Sequence, residues 1–216
     1  MSGGIRGAGG DESSGPVQLE LTEVDQARAP RADAVRNRAK LLEAASKLVA
    51  ECGAGNLTMD AVAAAAQVGK GTVFRRFGDR NGLLVALLDH EERQLQEAFL
   101  FGPPPLGPGA PAVERLLAFG PAVLRHETAR FDLYLAAEGP AERRFLVGAH
   151  RLRSQHVVVL LRAAGVDLDA ELTAECLLAR LDTPLVHHLT RQRGMPLRRL
   201  EDGWREEVRR LLLPML

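Results

Sequence analysis

The chain has 216 residues, 46% of them hydrophobic, 26% charged and 4% aromatic, with no net charge. That balance supports a packed core and excludes a chain that is disordered throughout. Cys52 and Cys176 are too few for a disulfide framework and form no CxxC pair, which points to a reducing compartment. No apolar run reaches the roughly 18 residues of a membrane span, and the N-terminus lacks the apolar segment of a secretory signal. A soluble, cytoplasmic protein is expected.

Charge is unevenly spread. Residues 1–30 carry two basic and five acidic groups, net −3, whereas residues 31–80 carry nine basic and five acidic groups, net +4. The remainder is close to neutral, at −1 from 17 basic and 18 acidic groups. A basic block beside a neutral body suits a module that meets polyanions, although a solvated basic face has the same composition.

Residues 1–30, rich in Gly and Ser, read as a flexible arm. From Asp33 the pattern is helical, with Val35, Leu42, Ala45, Val49 and Cys52 on one stripe and Gly53 as the stop. Thr58 reads as an N-cap with Asp60 in the following turn, and a short alanine-rich helix runs to about Ala66. Gln67-Val68-Gly69 forms a tight turn before a third short helix, Lys70 to Arg76. Asp79 caps a fourth helix, whose stripe is Leu84, Leu88, Leu95 and Phe99 and which stops before Gly102-Pro103-Pro104-Pro105. Beyond a Pro/Gly connector at 102–111, helices are expected over Pro111–Glu127 with a kink at Gly120-Pro121, then over Ala129–Glu138 and Ala141–Ala164. Two more run from Asp169 to about Gln192 and along the stripe Leu197, Leu200, Trp204, Val208 and Leu211. No alternating β-branched run of useful length follows residue 30. The expected fold is all-α, with about nine helices.

The spacing of the second and third helices fits a helix-turn-helix. Ala61, Ala64 and Ala65 permit a close crossing, Val68 and Val73 can bury beneath it, and Gly71 lets the backbone approach a surface. Lys70, Thr72, Arg75 and Arg76 then project outward as donors for phosphates and bases. Thr58-Met59-Asp60-Ala61-Val62-Ala63, followed by Ala66-Gln67-Val68-Gly69-Lys70-Gly71-Thr72-Val73-Phe74-Arg75-Arg76-Phe77, resembles the DNA-binding signature of TetR-family transcriptional regulators. Gly78-Asp79-Arg80-Asn81-Gly82-Leu83-Leu84 resembles the start of that family's fourth helix. A looser likeness to the family's later helices lies in Thr183-Pro184-Leu185-Val186-His187-His188-Leu189 and Gly194-Met195-Pro196-Leu197.

The resemblance implies a flexible arm at 1–30, a helix-turn-helix DNA-binding domain at 31–78, and a helical ligand-binding and dimerisation domain at 79–216. It implies a homodimeric repressor that binds double-stranded DNA at a palindrome and is released by a small-molecule effector. The family's DNA contacts fall on Thr58, Lys70, Gly71, Thr72, Phe74, Arg75 and Arg76. Phe74 stands for the more frequent tyrosine and Arg76 for a frequent histidine. Leu95, Phe99, His126, Phe131, Tyr134, His150 and Asp182 are candidates for the effector pocket, with packing roles as the alternative. The family's dimer interface points to Leu181, Leu185, His188, Leu189, Trp204 and Leu211.

Other chemistry finds little support. Gly69-Lys70-Gly71-Thr72 is not a phosphate loop, because Gly71 follows the lysine directly and Ala64 stands where the leading glycine belongs. His90, His126, His150, His156, His187 and His188 form no pair spaced four apart on one helix, so neither a metal nor a cofactor is expected. Cys176 is expected in the core. The rival readings are a helical-bundle enzyme, for which no nucleophile–base pair stands out, and a protein-interaction module without DNA binding.

Overall fold

The computed structural model describes residues 24–137 and 148–212, with side chains from residue 33. The expected arm as far as residue 23 and the expected helix start at Ala141 lie outside the described residues. Among those described, every regular element is helical. They are α1 (Val24–Cys52), a 3-10 turn (Ala54–Asn56), α2 (Met59–Ala65), α3 (Lys70–Phe77), α4 (Arg80–Phe101) and α5 (Ala112–Ala129). Then come α6 (Phe131–Ala136), α7 (Gly148–Ala163), α8 (Ala170–Ala179), α9 (Thr183–His187) with a π-helical turn (His188–Gln192), and α10 (Leu197–Leu212).

The chain divides into two compact units, Met1–Asn37 and Arg38–Leu216. In the first, α1 begins at Val24 rather than at Asp33, so the end of the expected arm is helical. Gln26, Ala27, Arg28 and Ala29 are good helix formers that carry no apolar stripe, which is why periodicity did not find them. Val35, expected on the buried stripe, is exposed.

The second unit has two apolar cores. One gathers Leu41, Leu42 and Ala45 of α1 with Leu57, Met59 and Val62 near α2, Val73 of α3, and Leu83, Leu84 and Leu87 of α4. Leu133 of α6 closes it. The other joins Leu95 and Phe99 of α4 to Leu116, Phe119 and Val123 of α5, Val157 and Leu161 of α7, Ala174 and Leu177 of α8, and Trp204 and Val208 of α10. α4 therefore contributes to both. Cys52, expected on the α1 stripe, is exposed at the helix end.

Two expectations for the later helices need correction. The single helix from Asp169 to about Gln192 is broken between Ala179 and Thr183. Pro184 has no N–H to donate and its ring would clash with the carbonyl of Arg180, so it sits in the first turn of a new helix instead. Cys176 is exposed rather than in the core. α8 buries Ala170, Ala174, Leu177 and Leu178, a stripe with offsets of four, seven and eight, and Cys176 at offset six falls outside it.

α5 runs through Gly120-Pro121, and its closest neighbour there is Trp204. The indole Nε1 donates to the Leu116 carbonyl at 2.8 Å. A Cβ on Gly120 would lie 2.1 Å from the Trp204 ring. In an open helix, Gly to Ala gains up to about 1 kcal/mol. Here the collision dominates, and Gly120→Ala is expected to cost about 3 kcal/mol in urea unfolding followed by circular dichroism.

Candidate functional site

The turn between α2 and α3 is built from local bonds. Thr58 is extended and its hydroxyl oxygen accepts from Ala61 N at 3.1 Å, capping α2 and leaving its O–H free to donate outward. Just past the Ala66 cap of α2, Gln67 takes φ 56, the left-handed conformation, and Val68 N returns to Ala63 O at 2.9 Å. Gly69 precedes α3, in which Val73 alone is fully buried. Lys70, Gly71, Phe74, Arg75 and Arg76 are exposed and Thr72 is half-buried. A Cβ at Gly71 would meet nothing within 4 Å, so the protein's own packing does not require glycine there. Lys70 Nζ lies 2.8 Å from an Asp60 carboxylate oxygen and 5.7 Å from the Phe74 ring centroid. α3 contains no acidic residue among its eight.

Arg80, the first residue of α4, fixes the loop that leads into this motif. Its Nε donates to Leu57 O at 2.8 Å, and its Nη2 donates to Ala54 O at 2.6 Å and Gly55 O at 3.0 Å. One guanidinium thus gathers three carbonyls of the chain just ahead of Thr58.

Between the two cores runs a belt of buried charge. Glu91 of α4 accepts from Ser46 of α1 and is paired with Arg130 at the α5–α6 junction. Its neighbour Glu92 pairs with Arg153 of α7, whose Nη1 also reaches Glu127 of α5 at 2.8 Å. Glu127 further accepts from Tyr134 Oη at 3.3 Å and Thr183 Oγ1 at 2.6 Å. Burial opposes the charge on Arg153, but Glu127 and Glu92 outweigh it and hold the guanidinium firmly protonated. Burial, then Glu127, pushes the Tyr134 phenol up. His126, 3.8 Å from Glu92, is held neutral by burial and by Arg130 and Arg153, with its pKa down at about 3. Beside the belt, a cavity of about 10 Å³ is bounded by Glu127, Phe131, Thr183, His187 and Thr190, room for a single water. Phe131 and His187 stack across it with centroids 3.5 Å apart.

Residues 41–87 match the family model for bacterial regulatory proteins of the tetR family. The structure is similar to that of a Rhodococcus sp. protein assigned to the TetR-family transcriptional regulators, with a TM-score of 0.61 and 20% identity. That match covers 82% of this chain and 98% of the other. The chain has the fold of a TetR-family regulator. A Saccharomonospora viridis protein assigned as a transcriptional regulator, solved in complex with choline, matches with a TM-score of 0.61 and 20% identity over 81% of this chain and 96% of its own. NalD, the secondary repressor of the MexAB-OprM multidrug efflux pump in Pseudomonas aeruginosa, matches with a TM-score of 0.51 and 18% identity over 83% and 96%. No curated protein gives a significant match.

Within this TetR-type fold the seven expected DNA-contact residues lie at the N-terminus of α2 and along α3. The expected effector residues do not form one group. His126, Phe131 and Tyr134 surround Glu127, whereas Leu95 and Phe99 are packed in the apolar core. His150 pairs with Glu175 at 3.0 Å on the α7–α8 edge, and Asp182 sits just ahead of α9. Among the expected dimer residues, Trp204 and Leu181 are buried, Leu189 and Leu211 are half-buried, and Leu185 and His188 are exposed. Glu92, Glu127, Arg153 and Arg80 are not among the site residues expected from sequence. The first three stand in register with apolar stripes, which is the signal of a buried ion pair: Glu92 precedes Leu95 by three and Arg153 precedes Val157 by four.

Replacing Arg153 with Met leaves two glutamates without their cation, and the expected loss is about 3–5 kcal/mol in urea unfolding. Acid acts through His126 as well. Between its unfolded pKa near 6.5 and its folded value of about 3, the unfolded chain takes up a proton that the native chain refuses. Stability therefore falls as pH drops through that window. His126→Gln should flatten the fall in midpoint temperature between pH 6.5 and pH 4 (calorimetry at fixed ionic strength) relative to the parent.

Proposed function

We propose that the protein is a non-enzymatic, cytoplasmic transcriptional repressor that binds a palindromic operator as a homodimer and is released by a small-molecule effector. The observation that carries this reading is the outward face of α3, where Lys70, Thr72, Phe74, Arg75 and Arg76 surround an uncrowded Gly71 with no carboxylate on the helix. Lys70, Arg75 and Arg76 supply phosphate and base donors, Gly71 admits the sugar-phosphate backbone, and the Thr58 hydroxyl offers a donor at the start of α2. Residues 31–78 form the reading domain, and residues 79–216 hold the effector and the partner subunit. Leu185 and His188 are the part of the expected dimer face left exposed by the protomer's own packing.

Two α3 helices fit successive major grooves when they stand about 34–36 Å apart, so an effector acts by favouring a dimer in which that spacing is wrong. The choline bound to one structural neighbour and the repressor role of another support an effector-released repressor. No helix among the described residues is long and apolar enough to cross a membrane, in keeping with a regulator that meets DNA in the cytoplasm.

The test is selection of bound fragments from genomic DNA, followed by gel shifts at graded salt. A recovered palindrome bound more tightly than scrambled duplex, with steep salt dependence, supports the reading; equal binding to every duplex overturns it. Lys70→Ala should weaken binding to all sequences and lower the salt slope by about one, while Thr72→Ala should alter which sequence is preferred. Gly71→Ala separates interface from fold: stability should hold or rise by up to about 1 kcal/mol while operator affinity falls.

A further inference from the structure

His156 lies three residues beyond Arg153 on α7 but faces the apolar core, where it is 8% exposed. Its ring centroid is 4.5 Å from that of Phe99 and 5.4 Å from that of Phe119. Among the described residues, its Nε2 has no hydrogen-bond partner. Burial and, second, Arg115 hold the imidazole neutral, with its pKa down at about 4. A buried polar atom left idle costs the protein stability unless something else engages it.

Arg115 is the second unusual group in the same neighbourhood. It lies one turn before Phe119 on α5, and its guanidinium donates to main-chain oxygens, Phe99 O at 2.9 Å and Leu106 O at 3.3 Å. No carboxylate pairs with it among the described residues, unlike Arg125, Arg130 and Arg153. A cation without an anion, an idle imidazole nitrogen and two aromatic rings thus converge from α4, α5 and α7.

We propose that this buried cluster is the effector site and that it opens to take an apolar carboxylic acid. The carboxylate accepts from His156 Nε2–H and faces the Arg115 guanidinium, while the hydrocarbon part lies against Phe119 and takes the place of the Phe99 ring. The charge decides the class. An organic cation is repelled by Arg115, and a neutral alcohol engages Nε2 but leaves the guanidinium without a counter-ion. The assignment rests on the effector-released reading and supplies the chemistry of the effector.

The test titrates the full-length protein by calorimetry with octanoate and phenylacetate, using octanol and octylamine as the neutral and cationic comparisons. Both acids should bind, with the alcohol and the amine weaker by about tenfold or more. His156→Phe, which removes the idle nitrogen and keeps a ring, should fold at least as stably as the parent yet bind the acids about tenfold more weakly. Arg115→Gln should weaken acid binding by a similar factor, and the His156 ring resonances should shift with acid alone. No binding of either acid, or equal affinity in His156→Phe, overturns the proposal. Acid binding is read without DNA and operator binding without acid, so failure of the DNA reading and failure of the ligand assignment are told apart.

Discussion

α4 has to satisfy two apolar cores with one helical face, and between them it must place two carboxylates out of water. Along that face the sequence passes from Leu83, Leu84 and Leu87 to Glu91 and Glu92, and then to Leu95 and Phe99. The acidic step is viable because cations arrive from elsewhere in the chain, Arg130 from the α5–α6 junction and Arg153 from α7. Ion pairs of this kind contribute little net stability compared with apolar replacements, but they are intolerant of a missing partner. They therefore fix which turn of α4 faces which neighbour, something two greasy surfaces would leave loosely specified.

The same helix begins with Arg80, whose guanidinium gathers the carbonyls ahead of Thr58. α6 offers a second link of this kind: Leu133 is buried beside α1 and α4, while the adjacent Tyr134 donates to Glu127. The first link ties α4 to the chain ahead of α2, and the second ties α6 both to the smaller core and to Glu127.

How far the amino-acid pattern reveals this molecule depends on how local the causes are. The α2–turn–α3 unit is legible because Thr58 as cap, the tight turn at Gln67-Val68-Gly69 and buried Val73 act within twenty residues. The break ahead of Pro184 was also written locally, yet the leucines on either side of it keep a helical period that conceals it. The charge belt and the His156 cluster are assembled from pairs far apart in sequence, Arg153 and Glu92 being 61 positions apart. Periodicity registers such groups only as polar intrusions on apolar stripes. Cys176 fell the other way, since apolar neighbours in sequence do not decide which side of α8 a residue occupies.

The chain holds one tryptophan, and it is the one pressed against α5 where Gly120 leaves no side chain. That indole is a built-in optical gauge with a single address. Its emission reports the α5–α10 seam alone, with no background from the α2–turn–α3 unit, so loosening of the larger core can be timed separately from events at that unit without attaching any label.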